Sequence, residues 1–219
     1  MRYERKIPIS GYDIQEIENI IRLHPACFKE IFQERKVNNI YFDDFENNAF
    51  HDNISGMMDR VKFRIRWYGN TFSEIDSVLE IKIKKGLVGT KKTFKLNSMT
   101  VDKKSSVFSL QKALLSNDLP SELTNRIQTK IPVLLNSYVR KYFLSFDKKF
   151  RITIDNKLKY FNIEENGSRM NCHTDKNIII ELKYEAEEDV FANEILSKLK
   201  FRLDKNSKFV NGLERINNY

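Results

Sequence analysis

The sequence predicts an α+β protein, one domain over residues 1–219, built on a large antiparallel sheet or barrel. Three observations carry that expectation. About seven or eight segments have strand character, several alternating charged and apolar residues at period 2. Few Gly or Pro fall inside them, and most are joined by hairpin-length connections. No long-period repeat and no clear linker divides the chain.

Arg2 to Ile9 reads as a strand, with Tyr3, Arg5 and Ile7 on one face and Arg2, Glu4 and Lys6 on the other. Ser10 and Asp13 mark a helix start, and Ile14, Ile17, Ile20 and Ile21 give an amphipathic helix to about His24-Pro25. Asn39 to Asp43 is a short aromatic strand. Strands at 61–68 and 77–84 are joined by the polar turn Gly69-Asn70-Thr71, and another covers Lys91 to Leu96. The stretch 105–143 reads as helical. Phe108, Leu110, Ala113 and Leu114, then Ile127, Ile131, Leu134 and Leu135, recur at helical spacing. Phe150 to Ile154 and Lys159 to Ile163 flank Asp155-Asn156, which reads as a hairpin turn. Ile178 to Tyr184 is a strand, Val190 to Leu199 a helix, and Lys205 to Tyr219 short helix or coil.

Composition bounds the class of partner. With 41% hydrophobic residues, 16 Phe and 9 Tyr against 7 Gly and 4 Pro, the chain can fill a core and is not of disordered type. The net charge of +8 points to an anion: nucleic acid, a phosphate metabolite or a membrane surface. Cys27 and Cys172 make neither a disulfide framework nor a Cys-x-x-Cys metal pair. No stretch approaches the roughly 20 apolar residues of a membrane helix. No signal-peptide apolar core follows Met1-Arg2-Tyr3-Glu4-Arg5-Lys6. A cytoplasmic protein without a membrane segment in this chain is expected.

The charge patterning is the most specific feature. Lys62, Arg64 and Arg66 share one strand face, and Glu80, Lys82 and Lys84 share another. Arg2/Glu4/Lys6, Glu181/Lys183 and Arg151/Thr153/Asp155 repeat the pattern. Two arrangements accommodate it. The faces are either solvated on a half-buried sheet, or they line the interior of a closed barrel. Unpaired buried charge costs several kcal/mol per ion, so the second arrangement requires a bound polyanion with its metal. Lys and Arg clamp phosphate oxygens, Arg in bidentate fashion. Carboxylates among them repel phosphate unless a divalent cation lies between, and Mg²⁺ or Mn²⁺ takes both kinds of oxygen. Glu4, Glu80 and Glu181 are therefore candidate metal ligands.

Other chemistries lack their residues. There is no Gly-x-x-x-x-Gly-Lys-Ser/Thr loop and no Gly-x-Gly-x-x-Gly. His24, His51 and His173 are isolated in loop-like contexts. Stacking platforms for RNA place aromatics on the basic face, whereas Phe63 and Trp67 alternate onto the opposite one. No nucleic acid is expected, although the charge alone admits RNA. Tyr138, Arg140 and Tyr142 stand together in Ser137-Tyr138-Val139-Arg140-Lys141-Tyr142-Phe143.

These residues resemble a known family. Glu4-x-Lys6 looks like half of the Glu-x-Glu-x-Lys signature of triphosphate tunnel metalloenzymes. The VTC, or polyphosphate polymerase, branch is more similar. Its likeness rests on Ile40-Tyr41-Phe42-Asp43, Lys62-x-Arg64-x-Arg66-x-Tyr68-Gly69, Glu80-x-Lys82-x-Lys84, Ser137-Tyr138-x-Arg140-x-Tyr142, Arg151-Ile152-Thr153-Ile154-Asp155, Glu181-Leu182-Lys183 and Ser207-Lys208-Phe209. The resemblance implies an eight-stranded antiparallel β-barrel, the triphosphate tunnel, with charged side chains inward and helices packed outside. It implies Lys6, Arg64, Arg66, Lys82, Lys183 and Lys208 as catalytic cations. Lys62, Lys84, Tyr138, Arg140 and Arg151 would bind phosphate, and Glu181, helped by Glu4 and Glu80, would hold the metal.

One departure bears on the reaction. Arg2 stands where the tunnel signature has its first Glu, removing a carboxylate that hydrolytic relatives use for metal or water. Phosphoryl transfer is mostly positioning and charge neutralisation, and a terminal phosphate acceptor needs no general base. The expected activity is a Mn²⁺- or Mg²⁺-dependent polyphosphate polymerase taking ATP and polyphosphate. Inorganic triphosphatase or nucleoside triphosphatase is the alternative enzyme, and a non-catalytic polyphosphate-binding module the alternative class.

Overall fold

A computed structural model describes residues 2–86, 88–167 and 170–217. The elements in chain order are β1 (Arg2–Ile9), α1 (Ile14–Arg22), β2 (Lys29–Asp43), α2 (Asn48–Ile54), β3 (Arg60–Tyr68), β4 (Ser73–Ile75), β5 (Val78–Lys85), β6 (Val88–Lys95) and β7 (Met99–Val101). Then follow α3 (Val107–Leu115), α4 (Ser121–Ile127), β8 (Ile131–Leu144), β9 (Arg151–Phe161), β10 (Cys172–Asp175), β11 (Ile178–Glu185), α5 (Asp189–Leu199) and α6 (Lys208–Asn217). The fold is α+β, as expected. Eight strands hydrogen-bond in the order β1-β11-β9-β8-β2-β3-β5-β6, with β10 added to β9 and β4 paired to β7. The registers of β1 with β11, β11 with β9, β2 with β3, β3 with β5 and β5 with β6 are all antiparallel.

The chain packs as two compact units. The first comprises residues 1–36, 138–158 and 174–206, the second 37–137, 159–173 and 207–219. In the first unit, Ile7, Ile152, Ile154, Ile180 and Leu182 present one apolar strand face to Ile17 and Ile21 of α1 and Ala192, Ile195 and Leu199 of α5. Asp13 starts α1: its carboxylate accepts from the Glu16 N–H while Glu16 accepts from the Asp13 N–H, both at 2.8 Å, a capping box. In the second unit, Phe63, Ile65, Trp67, Leu79 and Ile81 meet Leu110 and Leu114 of α3 and Leu123 and Ile127 of α4. The Trp67 indole donates to the Asn70 carbonyl at 2.8 Å, and Gly69 takes φ 92° in that turn, a conformation that costs glycine little.

Three expectations are corrected. Only 107–115 and 121–127 of the stretch 105–143 are helical, while 131–144 is strand β8. Leu134 and Leu135 are both fully buried on opposite faces of β8, so an apolar pair at i and i+1 joins Ile127 and Ile131 into a false helical period. The hairpin at Asp155-Asn156 does not form; β9 runs unbroken from Arg151 to Phe161. Lys157 takes φ 52°, the left-handed conformation typical of a bulged position, and the side-chain phase changes there. Ile152 and Ile154 face the core of the first unit, whereas Phe161 faces that of the second. Strand β2 begins at Lys29 rather than Asn39 because its first half is largely exposed and charged, which hides the alternation.

Helix α6 packs on the polar side of the second unit, through the one residue that permits close approach. A Cβ at Gly212 would lie 2.5 Å from Leu134 Cδ2 and 2.7 Å from Tyr160 Cδ1, both of them fully buried residues. Gly212→Ala is expected to lower stability by about 1–3 kcal/mol, the range for overpacking a tight interface. Urea unfolding of the two proteins measures it.

Candidate functional site

Most of the alternating charges pair with one another: Glu80, Arg140, Asp155 and Glu181 are buried, Lys6, Arg64, Arg66 and Lys183 are half-buried, and Arg2, Glu4, Lys82 and Arg151 are exposed. In the second unit Arg64 of β3 lies opposite Glu80 of β5 and Tyr41 of β2. Arg64 holds Glu80 Oε2 through Nε at 2.8 Å and Nη2 at 2.6 Å, and its Nη1 donates to the Tyr41 hydroxyl at 3.3 Å. Arg66 donates to Asn39 Oδ1 at 2.8 Å and stands 3.7 Å from Glu80 Oε2. Lys91 of β6 reaches Glu80 Oε1 at 2.9 Å. Three cations thus surround one carboxylate. Burial pushes the Glu80 carboxyl up, but Arg64 and Arg66 outweigh it and hold it down to about 2. The Tyr41 phenol is likewise lowered: Arg64, Arg66 and Lys208 together overcome its burial.

Strand register places Lys62, Lys82 and Lys91 in one row. Like charges directly opposite repel, and the row is relieved by divergence. Lys91 turns to Glu80, while Lys62 turns to Ser207 Oγ at 3.5 Å and stands 5.3 Å over the Phe209 ring. Lys82 is exposed, and Lys208 at the start of α6 is buried.

The first unit holds a second charged cluster. Arg140 of β8 binds Asp155 of β9 with a fork, Nε to Oδ1 at 2.5 Å and Nη2 to Oδ2 at 2.6 Å. Its Nη2 also donates to Glu181 Oε2 of β11 at 3.1 Å, and its guanidinium lies 5.3 Å from the Tyr138 ring centroid. Asp155 has no exposed surface. Burial works against the Arg140 charge, yet Asp155, Tyr138 and Glu181 raise its pKa well above the usual arginine value. Register sets Lys6 opposite Glu181 and Glu4 opposite Lys183. Lys6 Nζ is 3.1 Å from Glu4 and 4.0 Å from Glu181, and donates to the Asn206 carbonyl at 3.0 Å. Lys183 Nζ is 3.1 Å from Glu181 and 3.4 Å from Glu4. Three cations here meet three carboxylates. Thr153, opposite Glu181, has a buried hydroxyl without a hydrogen-bond partner among the described residues.

Within each unit the structure therefore gathers most of the expected residues. In the first it joins Glu4, Lys6, Tyr138, Arg140, Glu181 and Lys183; in the second it joins Arg64, Arg66 and Glu80. Arg151 is exposed at the start of β9, opposite Lys183. Lys84 stands at the far end of β5, opposite Arg60, away from the row of Arg64. Sequence reasoning missed Asn39, Tyr41 and Lys91, and placed Asp155 both on a polar strand face, where the structure has it, and in a turn, where it does not lie. The alternation of Asn39, Tyr41 and Asp43 was a usable signal; the Lys91 contact, diagonal across two strands, left none. Arg2 pairs with Glu185 at 3.1 Å on the surface.

In each unit the polar strand faces interleave cations with carboxylates on neighbouring strands. The chain belongs to the VTC domain family, whose model matches residues 1–217. No curated protein matches it. Among solved structures, the PH1819 protein of Pyrococcus horikoshii OT3 is 17% identical with a TM-score of 0.51, covering 97% of this chain and 99% of its own. A candidate adenylate cyclase of Vibrio parahaemolyticus is 10% identical with a TM-score of 0.52, covering 94% of each. The Hippeastrum protein HpAC1, described with a dominant triphosphatase activity, is 14% identical with a TM-score of 0.51, covering 95% of this chain and 93% of its own. At these identities the likeness is one of fold. Among the described residues no helix is long and apolar enough to cross a membrane.

Two outcomes follow from the ion pairs. The folded-state pKa of Glu80 is depressed from 4.5 to about 2, so its stabilisation is complete above pH 4.5 and vanishes as pH falls to 2. The contribution is on the order of 3 kcal/mol. Glu80→Gln should flatten the stability–pH curve across that window relative to wild type in guanidinium titrations. Asp155→Asn leaves Arg140 buried without its fork, and is expected to destabilise by about 3–5 kcal/mol in the same titrations at pH 7.

Proposed function

We propose that this chain is a metal-dependent phosphotransferase of polyphosphate polymerase type, working as one domain that takes ATP triphosphate and polyphosphate. The observation carrying the reading is the unequal charge of the two clusters. Around Glu80 three cations meet one carboxylate, with Lys62, Lys82 and Lys208 on the same unit. Such a surplus suits phosphate oxygens, Arg64 and Arg66 acting as flat, fixed donors. Glu80 then positions the two guanidiniums rather than holding a metal.

The other cluster suits a cation. Among the described residues no group of three or more His, Cys, Asp or Glu side chains is placed to hold a metal by itself. Glu4 and Glu181 do share Lys6 and Lys183, and Thr153 offers an unpartnered hydroxyl nearby in register. One or two carboxylates completed by substrate phosphates is the usual manner of binding Mg²⁺. Glu4 and Glu181 fit it, and the bound ion would neutralise phosphate charge there. Lys6 and Lys183 would move from carboxylate to phosphate oxygens as substrate enters. Arg140, locked by Asp155, keeps Glu181 oriented.

Among the described residues Glu4, Glu80, Asp155 and Glu181 each contact a cation, and the Glu80 carboxyl, held down to about 2 by Arg64 and Arg66, is a weak proton acceptor. Water needs a base more than a terminal phosphate oxyanion does. This favours transfer to a phosphate chain over hydrolysis.

Incubation with ATP and Mn²⁺ tests the reading. The expected products are ADP and polyphosphate resolvable on a gel, with EDTA abolishing both. Orthophosphate without polymer would reassign the protein as a triphosphatase, and no turnover with any divalent metal would leave a binding module. Arg66→Ala is expected to lower kcat/KM by about 10²-fold or more, the loss typical of one preorganised charge-stabilising donor.

A further inference from the structure

The second unit carries a hollow outside both clusters, and its chemistry is that of a separate anion site. It encloses about 480 Å³, within the roughly 300–1,000 Å³ of small-molecule sites. Its floor is Val61, Phe63 and Ile83, which lie on the face of β3 and β5 opposite Lys62, Arg64 and Lys82. Its rim carries Arg60, Lys84, Lys85 and Arg126. Arg60 and Lys84 are register partners at the end of the strand pair, where long side chains can turn around the sheet edge. The Arg126 guanidinium lies over the Phe63 ring, 5.6 Å from its centroid.

None of these four cations has a carboxylate partner among the described residues. Arg60 has only a 3.4 Å bond to the Met57 carbonyl. Two acids, Asp52 and Asp59, also line the hollow, and Asp59 accepts from the Gly86 N–H at 2.9 Å. Lys130 at the same rim is paired to Asp44 at 3.0 Å and is discounted. Four unpaired cations held together repel, and a multivalent anion relieves that repulsion. The four cations exceed the two lining carboxylates, Asp52 and Asp59, and an anion carrying two or more negative charges balances the excess. The apolar floor and the flat guanidinium add a place for a planar body, since guanidinium groups stack on ring faces.

We propose that this hollow binds a nucleoside di- or triphosphate, its phosphates on Arg60, Lys84 and Lys85 and its base beside Arg126 over Val61 and Ile83. The site is distinct from the Arg64–Glu80 cluster and does not depend on the activity proposed above.

Titration of methyl-labelled protein with ADP, followed by NMR, tests it. Saturable shifts of the Val61 and Ile83 methyls are expected, with pyrophosphate displacing ADP only at roughly tenfold or higher concentration. Lys85→Gln and Arg126→Gln, both at exposed positions, should each weaken the dissociation constant read at those methyls severalfold, and together tenfold or more. The methyl spectrum of each variant reports its fold in the same experiment. Methyls that stay unmoved by ADP, or affinity unchanged in the double variant, would overturn the site. Equal affinity for pyrophosphate and ADP would overturn the nucleotide assignment.

Discussion

Asp155 has no contact with solvent, and both its oxygens are taken by the Arg140 fork. Most of the first unit's polar face is arranged around this pair. Arg140 belongs to β8, Asp155 to β9 and Glu181 to β11, so the three-residue network ties three strands on the side away from the apolar core. A carboxylate in that place without its partner would cost several kcal/mol, which is the scale of a domain's whole stability. Pairing makes a charged interior tolerable here. Glu80 plays the same part in the second unit, with Arg64, Arg66 and Lys91 around it.

A face built this way is preorganised. Arg64 and Arg66 are held by Glu80 and Asn39 before any ligand arrives, so their side-chain freedom is already lost. Fixed charges aimed at one place stabilise developing charge without reorganising during reaction. The two clusters differ in stoichiometry: three cations meet one carboxylate around Glu80, and three meet three carboxylates around Arg140.

Legibility followed the backbone period. Glu4, Lys6, Arg64, Arg66, Glu80, Glu181 and Lys183 were visible because each lies on a strand whose opposite face is apolar, and alternation reports that directly. Where both faces are buried, alternation fails. Leu134 meets α6 while Leu135 meets the apolar core, and β8 consequently read as helix. A single left-handed residue, Lys157, moves the phase of β9, so Asp155 looked like a turn although it lies in mid-strand. The diagonal reach of Lys91 to Glu80 and the bond from Arg66 to Asn39 depend on strand order and register, which local patterning does not contain.

Residue order alone sets which strand faces are charged and which are apolar, because side-chain alternation along a strand is local geometry. Only the tertiary structure decided which charge meets which. Asp155 rather than a ligand neutralises Arg140, Arg2 pairs on the surface, and Lys84 leaves the row of Arg64 for the rim of another hollow. Those outcomes are set by strand order and register, and charges far apart in sequence become partners only when the sheet brings their strands together.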